Sequence, residues 1–274
     1  MDKLRLSNTK ISIWQSCHKK YEWCYVHNLM PKAKAEPLQV GDVVHKLHHL
    51  WVLGKLTPST IETLNDWVVK LYPEDTEEQA LEVAAQAANL MKGYLNKYAE
   101  DDPLKFIPGE TLIEVEFDNY ILNGRVDCWV RPADGRLWRV EHKTASKMDS
   151  HYLQGLKGGL QGAIYDYLTE QTFKEKVSGT IYNLLIKTQI PQYLRAYAMC
   201  DRSAIDRMLK TVEGVYKEIM RGDYYPSSRC YGFNRECEYK MLCDNDNPRV
   251  REAFYQERKE VSPNDKTKTD EGGS

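Results

Sequence analysis

Three stretches of different hydrophobic period along the chain predict an α/β or α+β domain organised around one core. The first hundred residues carry apolar side chains at helical steps, residues 113–143 alternate apolar and polar side chains as strands do, and residues 151–221 mix both patterns. That order of helices, strands, helix, strands and helix gives the fold class before any single residue is considered.

From Ser7 to about Asn28, Ile11, Trp14, Cys17, Tyr21 and Tyr25 recur every three or four residues behind a capping Ser7 or Asn8, which predicts an amphipathic helix. A polar linker, Pro31 to Pro37, leads to a second helix whose buried stripe is Val40, Val43, Val44, Leu47, Leu50 and Trp51, with His45 beside that stripe. Residues 59–72 and 77–99 continue the helical period on either side of Pro73 and stop at Asp101-Asp102-Pro103. Alternation then takes over at Ile113–Phe117, Val126–Val130 and Leu137–Lys143, read as three antiparallel strands in a meander with a turn at Pro132–Gly135. A helix over 151–169, strands over 179–187 and 192–199 and a helix over 202–221 complete the domain, expected to span residues 1–250. The segment from 258 to 274 is Lys/Asp/Thr/Gly/Ser-rich without apolar period and reads as a disordered tail.

Composition excludes several classes of function. With 42% hydrophobic and 28% charged residues, the chain can bury a core, and no apolar run approaches a membrane span of about 18 residues. The start MDKLRLSNTK lacks the apolar stretch of a secretory signal, so a cytoplasmic, membrane-free protein is expected. Lys and Arg number 38 against 40 Asp and Glu, so any contact with nucleic acid must come from a local patch. Seven cysteines in such a chain favour metal or cluster ligation, or plain burial, over a disulfide framework.

The strand Leu137–Lys143 places Glu141 and Lys143 on one face and Trp138, Val140 and His142 on the other. Asp127, 14 residues before Glu141, could reach it across the intervening hairpin. Two carboxylates beside a lysine suit Mg²⁺ or Mn²⁺, which can activate a water and neutralise a phosphate under in-line attack. Taken alone, Glu141 and Lys143 also fit a solvated ion pair, and Glu114 and Glu116 the wet face of a strand. Gln161 and Tyr165 share a face of the following helix, whose Gly155, Gly158, Gly159 and Gly162 imply close approach of a backbone or a ligand.

GRVDCWV, VEHKTAS and QGAIY, preceded by GDVVH, resemble the motifs of the RecB-type branch of the PD-(D/E)XK nuclease superfamily, close to CRISPR-associated and phage exonucleases with an iron–sulfur cluster. The resemblance spans roughly residues 7–245 with its motifs in order. It implies a restriction-endonuclease-like central mixed β-sheet flanked by helices, with an N-terminal helical region and residues 55–105 as a helical flap. It implies further that His45, Asp127, Glu141 and the backbone carbonyl of His142 hold the metal, that Lys143 is catalytic, and that Gln161 and Tyr165 orient DNA or the metal-site residues. His48 and His49 are rivals of His45 in sequence.

Cys230, Cys237 and Cys243 crowd into fourteen residues, and a cluster needs a fourth donor from elsewhere. Cys17 is the natural candidate, and the resemblance implies that it joins the three C-terminal cysteines on a [4Fe–4S] cluster. The six residues between Cys230 and Cys237 depart from the close pair usual in that family, and Cys24, one heptad after Cys17, is an alternative ligand. Zinc on four thiolates is the chemical runner-up, reduced structural cysteines the third reading. Cys128 and Cys200 read as core residues.

The expected activity is a metal-dependent deoxyribonuclease, an exonuclease on single-stranded DNA or duplex ends. The alternative is a non-catalytic DNA-binding or assembly subunit serving a recombination or DNA-processing partner. No phosphate loop, HExxH or GxSxG element points elsewhere. Trp51, Lys55, Tyr94 and Lys97 are candidates for a strand channel, with packing or solvation the stronger reading for each.

Overall fold

A computed structural model describes residues 3–258 except 33–35, 74, 101, 103, 110–111, 229 and 233–234. The expected tail therefore lies outside the described residues, except for residue 258 at its start. The chain begins with β1 (Leu4–Ser7), α1 (Asn8–Ser16), α2 (His18–Tyr21), a π-helical turn at Glu22–Val26, and β2 (Leu29–Pro31). The single helix expected over Ser7–Asn28 is thus interrupted. Cys17 adopts an extended conformation (φ −166°, ψ 116°), and its Sγ accepts the backbone N–H of Lys20, so the side chain that looked like one more helical step caps a new helix instead.

Helices α3 (Glu36–Val52), α4 (Pro58–Glu62), α5 (Leu64–Leu71) and α6 (Glu77–Tyr98) follow. Thr76 and Gln79 exchange side-chain and backbone hydrogen bonds that start α6. Most of the expected stripe of α3 is buried: Val40, Val43, Val44 and Leu47 pack with Val83, Ala87, Leu90, Met91 and Tyr94 of α6 and with Leu64 and Val68 of α5, while Leu50 and Trp51 are half-buried. Tyr94 and Trp51 are packing residues here. Lys97 Nζ donates to the Tyr193 carbonyl.

Strands β3 (Lys105–Pro108), β4 (Leu112–Glu116), β5 (Tyr120–Arg125), β6 (Cys128–Arg131) and β7 (Leu137–Ala145) come next, then α7 (Ser150–Gly158), α8 (Leu160–Phe173), β8 (Val177–Ile186), β9 (Gln192–Met199) and α9 (Arg202–Arg221). Five strands form a mixed sheet in the order β3-β6-β7-β8-β9, in which only β7 and β8 run parallel. The α7–α8 crossover between them is what a parallel neighbour requires. The α/β fold class with a mixed sheet and flanking helices is as expected, but the meander is not. β4 pairs with β5 in a separate three-stranded sheet completed by β1, and of the expected strand pairings only β6 with β7 forms. The turn at Asp118-Asn119, closed by Phe117 N–H on the Tyr120 carbonyl, folds β4 back onto residues 120–125, which the alternation had not marked as a strand. Glu114 and Glu116 of β4 are partnered by Arg5 of β1 and Lys3 just before it, across the central strand β5. The helix expected over 151–169 breaks at Gly159, whose extended backbone (ψ 147°) separates α7 from α8.

Short strands β10 (Tyr231–Gly232) and β11 (Arg235–Glu236), helices α10 (Lys240–Asp244) and α11 (Pro248–Phe254), and β12 (Tyr255–Glu257) end the described chain. The chain divides into two compact units, one holding residues 3–8 and 36–214, the other residues 9–32 and 215–258. The first contains both larger sheets. In the second, β2 pairs with β12, Trp14 Nε1 donates to Glu218, and Trp23, Cys24, Tyr239, Leu242 and Tyr255 form the core. No described helix is long and apolar enough to cross a membrane.

Gly179 on β8 has φ +150°, and a Cβ there would run into the Ala198 carbonyl of β9. Gly179→Ala should lower the unfolding free energy by about 1–3 kcal/mol. The check is a urea titration, in which an unchanged midpoint would show that the β8–β9 seam accepts a methyl group.

Candidate active site

Alternation along β7 aims Arg139, Glu141 and Lys143 at one side of the sheet, opposite Trp138, Val140 and His142. Glu141 is 3% exposed. Its Oε1 accepts from Lys143 Nζ at 2.7 Å and from Gln161 Nε2 at 3.1 Å, and its Oε2 from Arg139 Nη1 at 3.0 Å. Lys143 Nζ also donates to Gln161 Oε1 at 3.2 Å, so Glu141, Lys143 and Gln161 close a triangle. Helix α8 delivers Gln161 to it, because the break at Gly159 starts a new helix one residue earlier. Tyr165, one turn on, lies against the Arg139 guanidinium at 5.2 Å. Its ring abuts Gly124 of β5, where a Cβ would meet it at 2.5 Å.

Asp127 sits in the two-residue gap between β5 and β6, not on a strand as expected. The chain changes sheet there, which turns its carboxylate toward β7: Oδ2 accepts the His142 backbone N–H at 2.7 Å. Its Oδ1 lies 3.3 Å from His45 Nδ1 on α3. Of the three adjacent histidine candidates, His45 is thus the one that faces a predicted carboxylate. His48 is fully buried, stacked on the His142 ring at 3.7 Å, with neither ring nitrogen hydrogen-bonded among the described residues. The His142 ring is enclosed with it, its Nδ1 3.3 Å from Asn183 Nδ2 and its Nε2 3.8 Å from Cys128 Sγ, so only its backbone is available to the site.

The charges are strongly interdependent. Burial disfavours the His45 imidazolium, but the Asp127 carboxylate outweighs it and lifts the His45 pKa to about 9. Burial likewise opposes ionisation of Asp127, yet His45 and the His142 N–H hold its pKa far below the ordinary carboxylate range. Glu141 is pushed up by burial and by Asp127, against the pull of Lys143 and Arg139. Burial would lower the Lys143 pKa, but its contact with Glu141 raises it. Burial drives His142 down to about 3.

This donor set suits a hard divalent cation. Among the described residues, no three His, Cys, Asp or Glu side chains form a ready-made cage. Mg²⁺ does not need one, since it binds through one or two carboxylates and keeps several waters. Asp127, Glu141 and the His142 carbonyl are the oxygens that could serve, and His45 could add a nitrogen that suits Mn²⁺ better.

Two charged residues escaped the sequence reading. Arg139 is wholly buried among Glu141, Asp166 and Thr180, and Asp166 of α8 is buried with it. The period of two that marked Glu141 and Lys143 extends back to Arg139, and that was the available signal.

All four candidate cysteines lie in the second unit, none in a disulfide. Burial would raise the Cys17 thiol, but N–H groups of Ser227 and Lys20 bring it below its usual value. Burial pushes Cys237 and Cys243 up, and each is raised further by Cys17; Cys230 adds to this at Cys243. Cys24 is 1% exposed in the core and hydrogen-bonded by Tyr239.

The family model of the PD-(D/E)XK nuclease superfamily matches residues 5–244. No curated protein sequence matches the chain significantly. Among solved structures, a candidate exonuclease from Eubacterium rectale aligns over 89% of this chain and 88% of its own, at 16% identity and TM-score 0.55. That likeness concerns the fold alone. A second structure, SSO0001, aligns over 64% of this chain and 85% of its own at 16% identity, with a TM-score of 0.29.

The His45–Asp127 pair makes metal-free stability depend on pH. A histidine pKa raised from 6.5 to about 9 gives a contribution complete below about 6.5 and lost as pH rises through 9. In EDTA, wild-type stability should fall over that window relative to His45→Asn. Parallel urea midpoints for the two proteins would contradict the pairing.

Proposed function

Because the chain belongs to the PD-(D/E)XK nuclease superfamily, we propose that it is a divalent-metal-dependent DNA nuclease of the RecB-type branch, an exonuclease on single strands or duplex ends. The observation that carries the reading is the meeting of Glu141, Lys143 and Gln161 at hydrogen-bonding distance, beside an Asp127 anchored on the His142 N–H. Asp127, Glu141, the His142 carbonyl and His45 would hold Mg²⁺ or Mn²⁺, which supplies an activated water and neutralises phosphate charge.

The residues of the chain do the rest. Lys143 stays cationic beside Glu141 and is placed to stabilise negative charge developing on the phosphate. Gln161 holds Lys143 and Glu141 together, so the cation of the side chain cannot swing away from the carboxylate. His45 would release its proton to solvent before its nitrogen could ligate, which would link metal affinity to pH. The intact Asp127, Glu141 and Lys143 set speaks against the alternative of a non-catalytic DNA-binding subunit that serves a recombination or DNA-processing partner.

Cys17, Cys230, Cys237 and Cys243 are the proposed ligands of a [4Fe–4S] cluster, with Zn²⁺ as the alternative occupant. Thiolates are the donors either group takes, and these four lie in one unit, although among the described residues no three of them stand close enough to form a ready-made cage. The low thiol of Cys17 favours it over Cys24, whose place in the apolar core raises its pKa. Such a centre would tie residues 9–32 to residues 215–258 as a folding staple.

End-labelled single- and double-stranded DNA incubated with Mg²⁺, Mn²⁺ or EDTA tests the activity. Cleavage should require the metal and fall by a factor on the order of 10³ in Glu141→Ala; metal-independent cleavage, or an active variant, would refute the site. Anaerobically purified protein should contain iron and acid-labile sulfide, lost in Cys17→Ala and kept in Cys24→Ala. Stoichiometric zinc without sulfide would replace the cluster with a zinc centre.

A further inference from the structure

We propose that Arg139, clamped by Asp166 and Thr180, is the positioning residue for Glu141: it fixes the metal-binding carboxylate from behind and sets α8 in the register that brings Gln161 to Lys143. This rests on the metal-nuclease reading and adds to it a residue that touches neither metal nor substrate.

The guanidinium is 0% exposed and spends its donors in three directions. Nη1 meets Glu141 Oε2 at 3.0 Å, Nε meets Asp166 Oδ1 at 3.3 Å, and Nη2 meets Thr180 Oγ1 at 2.5 Å. Thr180 stands directly opposite Arg139 on β8 and itself donates to Asp166 Oδ1 at 3.3 Å. The Tyr165 ring covers one side of the group. A planar fork held on three edges cannot rotate, so neither can the Glu141 oxygen it grips.

The consequence for Glu141 follows from counting acceptors. An ionised carboxylate offers about four lone-pair positions. Lys143 and Gln161 take two on Oε1 and Arg139 takes one on Oε2, which leaves a single direction for a cation. Asp166 is one residue from Tyr165 and five from Gln161 on α8. The pair it forms with Arg139 therefore also locks the rotation of the helix that carries Gln161. A lysine at 139 would keep the charge but offer no fork to span the three partners.

The test reads Mn²⁺ affinity by titration calorimetry alongside nuclease activity and a circular-dichroism melt. Arg139→Lys should weaken Mn²⁺ binding by roughly 10–100-fold and lower kcat with little change in the KM for DNA. The double variant Arg139→Met/Asp166→Asn removes the buried pair without leaving Asp166 charged and alone, and should do the same. Thr180→Val, which unpairs no charge, should keep the fold and weaken Mn²⁺ several-fold. Should the charged-pair variants fail to fold, Thr180→Val decides. Folded variants with Mn²⁺ affinity and kcat within twofold of wild type would overturn the proposal while Glu141→Gln still loses Mn²⁺. Wild type without Mn²⁺ binding, or Glu141→Gln binding it normally, would overturn the metal site itself and this proposal with it.

Discussion

An ionised carboxylate enclosed in a sheet forfeits several kcal/mol of hydration unless its oxygens are met by well-placed donors, and Glu141, 3% exposed, imposes that requirement on everything around it. Three donors answer it, and they come from two elements of the first unit. Arg139 and Lys143 are supplied by the alternation of β7 itself, and Gln161 by α8. Arg139 is then a buried cation in its own right and needs Asp166 and Thr180. One buried charge thus determines the contents of two strands and a helix face.

The second carboxylate is held by a different device. Asp127 occupies the gap where the chain leaves one sheet for another, and its anchor is a backbone N–H, a donor no substitution at position 142 other than proline can remove. α3 brings His45 to its other oxygen. Behind these groups a polar web secures the helical region to the five-stranded sheet. Arg195 on β9 donates to Asp102, to Tyr94 Oη on α6 and to Asn183 on β8, and Asn183 in turn contacts the His142 ring. Helices at 36–98 are therefore coupled to the strand that carries Glu141 through side chains that themselves contact neither Glu141 nor Asp127.

The cysteines follow another logic. Cys17 ends one helix and caps the next, which takes its thiol out of a helical face and places it under the N–H groups of Lys20 and Ser227. The same backbone break that defeats a periodicity reading gives this sulfur two N–H donors, which favour its thiolate. Cys24, which kept to the pattern, is buried with Trp23, Tyr239 and Leu242.

Features that depend on local spacing are legible along the chain. The period of two put Glu141 and Lys143 together, the helical period buried Val40, Val43, Val44 and Leu47, and the four-residue step set Gln161 beside Tyr165. Packing of the folded unit settled the other choices. It chose β5 as the partner of β4, broke helices at Cys17 and Gly159, and faced His45 to Asp127 while burying His48. It also made Arg139 and Asp166 partners across 27 positions of sequence. The reason is physical: period and propensity act between residues a few positions apart. Sheet partners and the pairing of buried charges depend on which surfaces meet, and that is fixed only when the whole unit packs.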